Sequence, residues 1–449
     1  MRQIILLIVS VLIININTAK GQGITRHFMT NLPVSLHTNP SLFPDYRYSI
    51  GFPLGNWFWE TNTNMSLKQM ISKIENNTLY ISPNKIIDNL DKVNFVNNEF
   101  DLELLSTSFK VKKNYFSLFL SNKTFFEFRY PRDLLALGWQ GNGPFIGGQA
   151  DFSGIGVDAV NYNELALGYS RLIKDKLYIG GRFKYLQGIV NLKTVKSDIT
   201  ISIDTTTYWL TANYSTMIRI AAPIDTNGPS FNSPSDVLNF GNPGMAFDIG
   251  ASYKINDKLS ASLSIIDLGY IHWTKNTKSY FLENGKLAFQ GLKIDSTFNF
   301  DFSDSALNLL TDTLMEKFSF QKSITPFSTS LNSKLYITAN YNLTPKDRFG
   351  LVIYNRFDSY YNLMNYSLLY QRKFGNILSL CANYTLNSRG NSKLGTGLSL
   401  RILGSNFYFI TDDIVSLINP INAHTISFNF GWNYIKSKPK KSAVSKTTF

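Results

Sequence analysis

The sequence predicts an all-β protein: a transmembrane antiparallel β-barrel of about 14 strands, with short periplasmic turns, longer outer loops and one or two short loop helices. Three observations support this prediction. Apolar and polar side chains alternate with a period of two, turn residues separate the alternating stretches, and each stretch has about the ten residues that a tilted spanning strand requires. The 449-residue chain is 44% hydrophobic and only 17% charged, which suits a barrel with a lipid-facing exterior.

The amino terminus has the layout of a secretory signal peptide. Arg2 gives a basic start, an aliphatic run of 11 residues extends from Ile4 to Ile14, and small residues flank Lys20 before a cleavage site at Gln22. A membrane-spanning helix needs roughly twenty apolar residues, so this run is too short for an anchor. We therefore expect a cleaved signal peptide and localisation in the outer membrane of a Gram-negative cell. The chain then divides into a signal peptide at 1–21, a barrel with an N-terminal lead-in or plug at 22–434, and a basic flexible tail at 435–449.

Residue types that carry catalysis or metal binding are sparse. The one cysteine excludes a disulfide framework and a cysteine-based zinc site, and the four histidines show no paired metal-ligand spacing. No GxSxG elbow or phosphate-binding loop occurs. We therefore expect no metal, cofactor or enzymatic activity, and His272, beside Trp273, is the histidine at which a cross-strand serine pair would be sought. Lys and Arg exceed Asp and Glu by 13, which suits contact with outer-membrane lipid and anionic lipopolysaccharide, whereas export argues against nucleic acid as a partner.

The stretch from Thr425 to Tyr434 shows the alternation. Every second residue from Ile426 onward is apolar, and the residues between are polar or glycine. A soluble β-sandwich also alternates in this way. The membrane barrel is favoured because the array continues for more than 250 residues without a domain break, and because several strands end in aromatic residues such as Trp432, which suit the lipid interface.

Short turn sequences recur along the chain. Three of them lie 29 residues apart, at positions 346, 375 and 404, which leaves room for two spanning strands and their connections. Asn284-Gly285 is a further turn candidate. We expect these turns on the periplasmic side and the longer segments outside. Two of the remaining segments contain helix signals: Asp304–Phe318 is amphipathic, and Met65–Leu90 has room for another short helix.

Five segments occur in the order typical of one protein family: Ser35–Leu42, Tyr46–Pro53, Glu164–Ser170, Gly180–Gly188 and Thr411–Asp413. Together they resemble an uncharacterised family of Bacteroidetes outer-membrane barrels that is similar to the FadL and PorV groups. The chain departs from the family pattern at Ser41, where alanine is usual, and at Asp413, where asparagine is common. The resemblance implies a FadL-like outer-membrane barrel of about 14 strands, and it indicates no particular substrate.

Two pairs of residues are candidates for ligand binding. Trp139 and Phe145 belong to the glycine-rich segment 138–148, which either enters the lumen to contact an apolar ligand or forms an ordinary outer loop. Arg182 and Lys184 fall on the polar face of one strand, where a lumen or rim position is less costly than a lipid-facing one. They either attract anions or pair with acidic residues, with Glu103, Glu127 and Asp248 as the candidates, as plain filling of the lumen.

The segment before the first strand has two alternative positions. Asn39 and Pro40 belong either to a plug inside the barrel, as in FadL-like proteins, or to a periplasmic lead-in. Two functions follow from the resemblance. A FadL-like barrel implies passive transport of a small hydrophobic or amphipathic ligand through an aromatic-lined pocket. A PorV-like barrel implies a sealed scaffold or shuttle that binds a protein partner in secretion or surface assembly.

Overall fold

The computed structural model describes residues 23–73, 79–225, 228–229, 241–289, 321–357, 362–387 and 392–437. Within these residues, fourteen antiparallel strands close into one barrel, in which consecutive barrel strands pair and the last pairs with the first. The predicted fold class and strand number are confirmed. The barrel strands, numbered β1 to β14 in order, are Tyr46–Thr63, Val93–Val111, Asn114–Pro131, Gly156–Ile173, Leu177–Ile203, Pro243–Lys254, Leu259–Trp273, Lys334–Asn342, Asp347–Phe357, Asn362–Phe374, Leu378–Asn387, Ser392–Ile402, Ser405–Thr411 and Thr425–Ser437.

Tight turns are gathered at one end of the barrel, which we call the short-turn end. The turns that join barrel strands there are residues 112–113, 174–176, 255–258, 343–346, 375–377 and 403–404. The three turns expected at 346, 375 and 404 are among them. Leu403 and Gly404 both have positive φ, at 49° and 91°, which is the backbone of a tight hairpin turn that follows the twist of its strands. We call the opposite end the long-loop end.

The prediction of a turn at Asn284-Gly285 is wrong. Both residues lie within an outer strand, Thr277–Phe289, which pairs with another outer strand, Leu210–Ala221. The pairing shifts between Leu282 and Gly285, so the chain forms an irregularity there instead of reversing. Position 285 requires glycine for its small size and not for a turn, because a Cβ atom there would lie 1.9 Å from the ring of Tyr214. The two strands extend the outer half of β5 into a side sheet.

The outward face of the barrel is apolar at alternating strand positions. Ile249, Leu351 and Leu368 lie within strands, yet 53%, 58% and 55% of their surface is exposed. The adjacent inward positions are buried and mostly polar, as Asp248 and Ser367 illustrate. An apolar exterior of this extent is favourable against lipid and unfavourable against water. The barrel therefore has the surface of a membrane-spanning protein.

Short helices lie inside the barrel and at its long-loop end. The helices of the described ranges, numbered α1 to α5, are Ile24–Phe28, Leu67–Met70, Pro83–Asn89, Arg132–Gln140 and Ile414–Ile418. The helix expected within Met65–Leu90 is confirmed, as α2 and α3. None of the five is long and apolar enough to cross a membrane.

Several expectations fall at or beyond the edges of the described residues. The predicted signal peptide at 1–21 and the predicted helix Asp304–Phe318 lie outside them. The last strand continues to Ser437, three residues past the boundary expected at 434, and Ile435 is buried within it. The rest of the predicted tail, 438–449, lies outside the described residues.

A charge on the outward face tests the assignment of that face to lipid. We expect Leu351→Arg, in the middle of β9, to lower the stability of the inserted barrel by about 2–4 kcal/mol, because the guanidinium would lie against lipid near the membrane centre. Leu403→Arg is the matched control, since Leu403 is 97% exposed in a turn at the short-turn end. Urea unfolding in lipid vesicles measures both variants. Equal stability of the two would contradict a lipid-facing belt.

Candidate functional site

The chain before β1 runs inside the barrel. Residues 23–43, which we call the lumen segment, contain α1 and a 3-10 turn, Pro33–His37. Ile24, Phe28 and Met29 pack in one buried cluster with inward-facing side chains of the wall, among them Val352 and Cys381. The structure therefore places the N-terminal segment, including Asn39 and Pro40, in the lumen.

His27 ties the lumen segment to the wall. One of its ring nitrogens, Nδ1, is 2.9 Å from Thr38 Oγ1 within the segment, and the other, Nε2, is 2.8 Å from Thr338 Oγ1 in β8. The ring also stacks on Tyr336 with a centroid distance of 4.5 Å. Burial, helped by nearby Arg348, lowers the pKa of His27 to about 3, so the imidazole is neutral and uses one nitrogen as donor and the other as acceptor.

Asp412 holds the start of α1. Its carboxylate accepts hydrogen bonds from the backbone N–H groups of Ile24 and Thr25, at 3.1 and 2.9 Å, and from the Thr25 hydroxyl at 2.6 Å. A carboxylate at a helix amino terminus satisfies donors that have no partner within the helix. Asp412 follows β13 directly, within the Thr411–Asp413 element. The sequence of that element does not indicate this contact, which joins residues almost 390 positions apart.

The turn from Asn39 to Ser41 fits against two glycines of the wall. Asn39 Oδ1 accepts hydrogen bonds from the backbone N–H and the hydroxyl of Ser41, at 2.9 and 2.7 Å. A Cβ atom at Gly180 would lie 2.1 Å from the carbonyl oxygen of Pro40, and one at Gly250 would lie 2.4 Å from Asn39 Oδ1. The wall thus lacks side chains at the positions where the turn approaches it.

Arg182 and Lys184 face the lumen and are paired with carboxylates. Arg182 Nη1 and Lys184 Nζ each lie 2.9 Å from an oxygen of Asp248. Lys184 also contacts Asp267 and, at 3.7 Å, Glu164. All of these side chains are almost fully buried, so each charge is compensated by its partners rather than by water. The structure brings the two predicted cations together as the charged centre of the lumen, and their binding of an anion stays a prediction.

This charged centre is joined to the lumen segment. Arg182 donates a hydrogen bond to the carbonyl oxygen of Leu36, and its guanidinium lies over the ring of Phe119. Next to it, His37 Nε2 is 2.9 Å from the carboxylate of Glu103. Asp267 is not among the residues predicted from the sequence. It has φ of 62° within β7 and donates its N–H to Asp248. A single acidic residue in an alternating strand gives no local signal of such a contact.

Trp139 and Phe145 lie at the long-loop end, away from the cavities described below. Trp139 is at the end of α4 and is half exposed, and Phe145 packs against the side sheet beside Ile201 and Leu210. Their role in ligand binding stays a prediction. His272 is exposed and its Nδ1 lies 3.0 Å from Ser328 Oγ. Among the described residues, no group of three or more His, Cys, Asp or Glu side chains could hold a metal ion.

Two cavities lie on opposite sides of the lumen filling. The larger, which we call the end cavity, has a volume of about 470 Å³ and opens at the short-turn end between the lumen segment and the wall. The smaller has about 60 Å³ and is lined by charged residues of the long-loop half. Along β7, Ser262 lines the end cavity and Asp267 lines the smaller one, while Ser264 between them donates to the carbonyl oxygen of Thr38. The lumen segment therefore separates the two cavities.

A side chain at Gly180 tests how closely the lumen segment is seated. We expect Gly180→Ala to destabilise the barrel by about 1–3 kcal/mol and to raise the amide hydrogen exchange of Ser41, because the new methyl group displaces Pro40 and disturbs the turn. Gly181→Ala is the neighbouring control, since a Cβ atom there meets only the Asp248 carbonyl oxygen at an ordinary 3.7 Å. Identical exchange in the two variants would contradict the placement of the turn.

Comparison with solved structures finds barrels of low similarity. The toluene transporter TodX of Pseudomonas putida is 9% identical with a TM-score of 0.40, covering 90% of this chain and 94% of that chain. A FadL homologue of Pseudomonas aeruginosa is 10% identical with a TM-score of 0.32, covering 91% and 94%. The translocator domain of the autotransporter NalP from Neisseria meningitidis is 8% identical with a TM-score of 0.33, covering 87% and 88%. No curated protein matches the chain.

The Bacteroidetes and PorV-like parts of the resemblance stay predictions. One family is matched by most of the chain, over residues 40–412, from the turn seated in the lumen to the aspartate that holds α1. The chain therefore belongs to the family of unknown function DUF5723.

Proposed function

We propose that the protein is an outer-membrane barrel that passes small amphipathic or hydrophobic molecules when its lumen segment, acting as a plug, moves. The end cavity is the observation that supports this proposal. Its volume of about 470 Å³ lies within the range typical of small-molecule sites. The lumen segment forms one side of the cavity and the barrel wall forms the other, so a molecule bound there contacts the element that closes the lumen.

The exterior supports the proposed location in the outer membrane. An apolar outer face on a closed barrel is favourable against lipid, and the predicted signal peptide would export the chain. Short turns are typical of the periplasmic side and longer connections of the outer side. In this orientation the end cavity opens to the periplasm. We propose no catalytic role, cofactor or metal for the protein.

The lining of the end cavity suits an amphipathic molecule. Phe28, Phe43 and Tyr178 offer aromatic surface, and serine, threonine and asparagine side chains of the wall offer hydrogen bonds. A purely hydrocarbon ligand would leave these polar groups unpaired, which costs free energy. A molecule with an apolar body and a polar end satisfies both parts of the lining.

Passage requires the lumen segment to leave its seat. The contacts of His27, Asp412 and the Asn39–Ser41 turn with the wall hold the segment across the lumen. A ligand shifts the seated and displaced states only by its difference in affinity for them. A ligand in the end cavity contacts the lumen segment in its seated position. Its affinity can therefore differ between the seated and displaced states, which would couple binding to opening.

A second candidate function is a scaffold for a protein partner at the long-loop end. The observation that favours it is exposed apolar surface on α2, α5 and the adjoining turn, at Leu67, Val415, Ile418 and Ile421, with Ile418 78% exposed. Exposed apolar side chains that lie together on loops are typical of protein interaction sites. This function requires the lumen to stay closed, so it predicts no dependence on plug movement.

A disulfide between plug and wall tests the proposed function. Ser41 Oγ and Ser252 Oγ are 2.6 Å apart, so Ser41→Cys with Ser252→Cys is placed to form a bond between the lumen segment and β6. We expect oxidation of this pair, in a Cys381→Ala background, to stop efflux of p-toluenesulfonate from vesicles and reduction to restore it. This aromatic anion serves as the probe because lipid bilayers retain it.

The control pair is Ser49→Cys with Ser108→Cys, whose hydroxyl oxygens are also 2.6 Å apart but which joins β1 to β2 within the wall. Oxidation of the control should leave efflux unchanged. Efflux that continues at full rate through the locked plug would contradict plug movement. A protein that passes no probe in either state, and that purifies with a stoichiometric protein bound to the long-loop end, would support the scaffold function instead.

A further inference from the structure

We infer that the end cavity is an anion-binding site that selects small amphipathic molecules bearing a carboxylate, sulfonate or phosphate group. This inference rests on the proposed function, since it names the class of molecule that the barrel would pass. Four cations line the cavity: Lys254, Arg348, Lys373 and Arg401. Each occupies an inward position at the short-turn end of a strand: Lys254 is the last residue of β6, and the other three each lie one residue from the end of their strand. The topology therefore gathers them into one cationic mouth.

The mouth differs from the charged centre in its pairing. In the centre, Arg182 and Lys184 share the carboxylate of Asp248. At the mouth, none of the four cations forms an ion pair with any residue of the described ranges. The other ionised side chain of the lining is the exposed Asp45, so four cations face one carboxylate. Uncompensated positive charge in a partly enclosed site raises the local concentration of anions.

The hydrogen bonds of Arg348 also leave its positive charge without an anionic partner. Its guanidinium donates hydrogen bonds to Thr30 Oγ1 at 2.9 Å, to Gln371 Oε1 at 2.7 Å and to the Phe28 carbonyl oxygen. All three acceptors are neutral. Its Nε–H is buried and has no hydrogen-bond partner. No carboxylate of the described residues compensates this guanidinium, and an anionic group in the cavity would supply the missing negative charge.

The remaining lining defines the body of the ligand. Lys254 Nζ lies over the ring of Tyr178 at 5.3 Å, and the ring of Tyr178 is 5.5 Å from that of Phe43. Cations and aromatic rings are thus adjacent, which suits an acidic group attached to a short or aromatic apolar body. The same chemistry occurs in a free small molecule and in an anionic lipid headgroup, and the experiment below distinguishes these sources.

The test measures binding and not passage. Purified full-length protein in a neutral detergent is titrated by calorimetry with p-toluenesulfonate and, separately, with benzyltrimethylammonium, which has a similar ring and the opposite charge. We expect the anion to bind and the cation not to bind. The double variant Lys254→Gln/Lys373→Gln should weaken anion binding roughly tenfold or more, because two charge-assisted contacts are lost. Arg348 is left intact because it also anchors the lumen segment.

The matched control is Lys176→Gln/Lys346→Gln, which removes two exposed lysines from turns at the same end, outside the cavity lining. It should bind the anion as the unmodified protein does. Native mass spectra identify the source: a retained anionic lipid that p-toluenesulfonate displaces indicates a headgroup, and a protein without lipid that takes up the probe indicates a free molecule. Both results support the site. Equal binding of the two probes, or equal loss of affinity in both double variants, would overturn it.

The outcome is separable from that of the proposed function. Selective anion binding, together with efflux that is unchanged by the plug disulfide, would support the anion site and contradict the movement of the plug. Disulfide-dependent efflux of p-toluenesulfonate, together with equal binding of the two probes, would support the plug and contradict the anion site.

Discussion

The packing of the lumen segment against the inner wall is the interaction on which the rest of the structure depends. A barrel in lipid has an apolar outside and a polar inside, and the polar inside must be filled with water, ligand or chain. In this protein the chain itself fills it. Asp412 at the start of α1, His27 in its middle and the glycines that receive the Asn39–Ser41 turn are each placed so that the segment satisfies groups of the wall.

The filling divides the lumen into parts with different electrostatics. The centre contains cations that are almost fully buried and matched with carboxylates, so its charges compensate one another. The mouth at the short-turn end contains cations without ion-pair partners in the described residues, beside aromatic rings and free space. The paired centre suits the closure that we propose for the barrel, and the mouth without ion pairs suits the anion binding that we infer.

The sequence predicted the architecture well because the architecture follows from local periodicity. The alternation from Ile426 to Tyr434 identifies which side chains face lipid, and turn residues near 346, 375 and 404 identify one end of the barrel. The same reasoning failed at Asn284-Gly285, since a glycine that makes room for Tyr214 has the same local sequence as a hairpin turn.

The site was less predictable because its contacts join distant parts of the chain. Asp412 and Thr25 are 387 positions apart, and the local sequence around either residue does not predict a contact with the other. The inward position of Arg182 and Lys184 followed from strand parity, and Asp248 was one of their candidate partners. The contact of Lys184 with Asp267 was not predicted, because it depends on the register between β5, β6 and β7.

The reactivity of Cys381 tests most directly whether the lumen segment closes the barrel. This single cysteine is 2% exposed and packs in the same cluster as Ile24, Phe28 and Met29. The account predicts that a small water-soluble methanethiosulfonate modifies it slowly in the folded, vesicle-embedded protein, at a rate set by displacement of the segment, and faster in Gly180→Ala than in Gly181→Ala. Modification of the folded, unaltered protein at the rate of a free thiol would contradict the account, because the segment would then leave the lumen open.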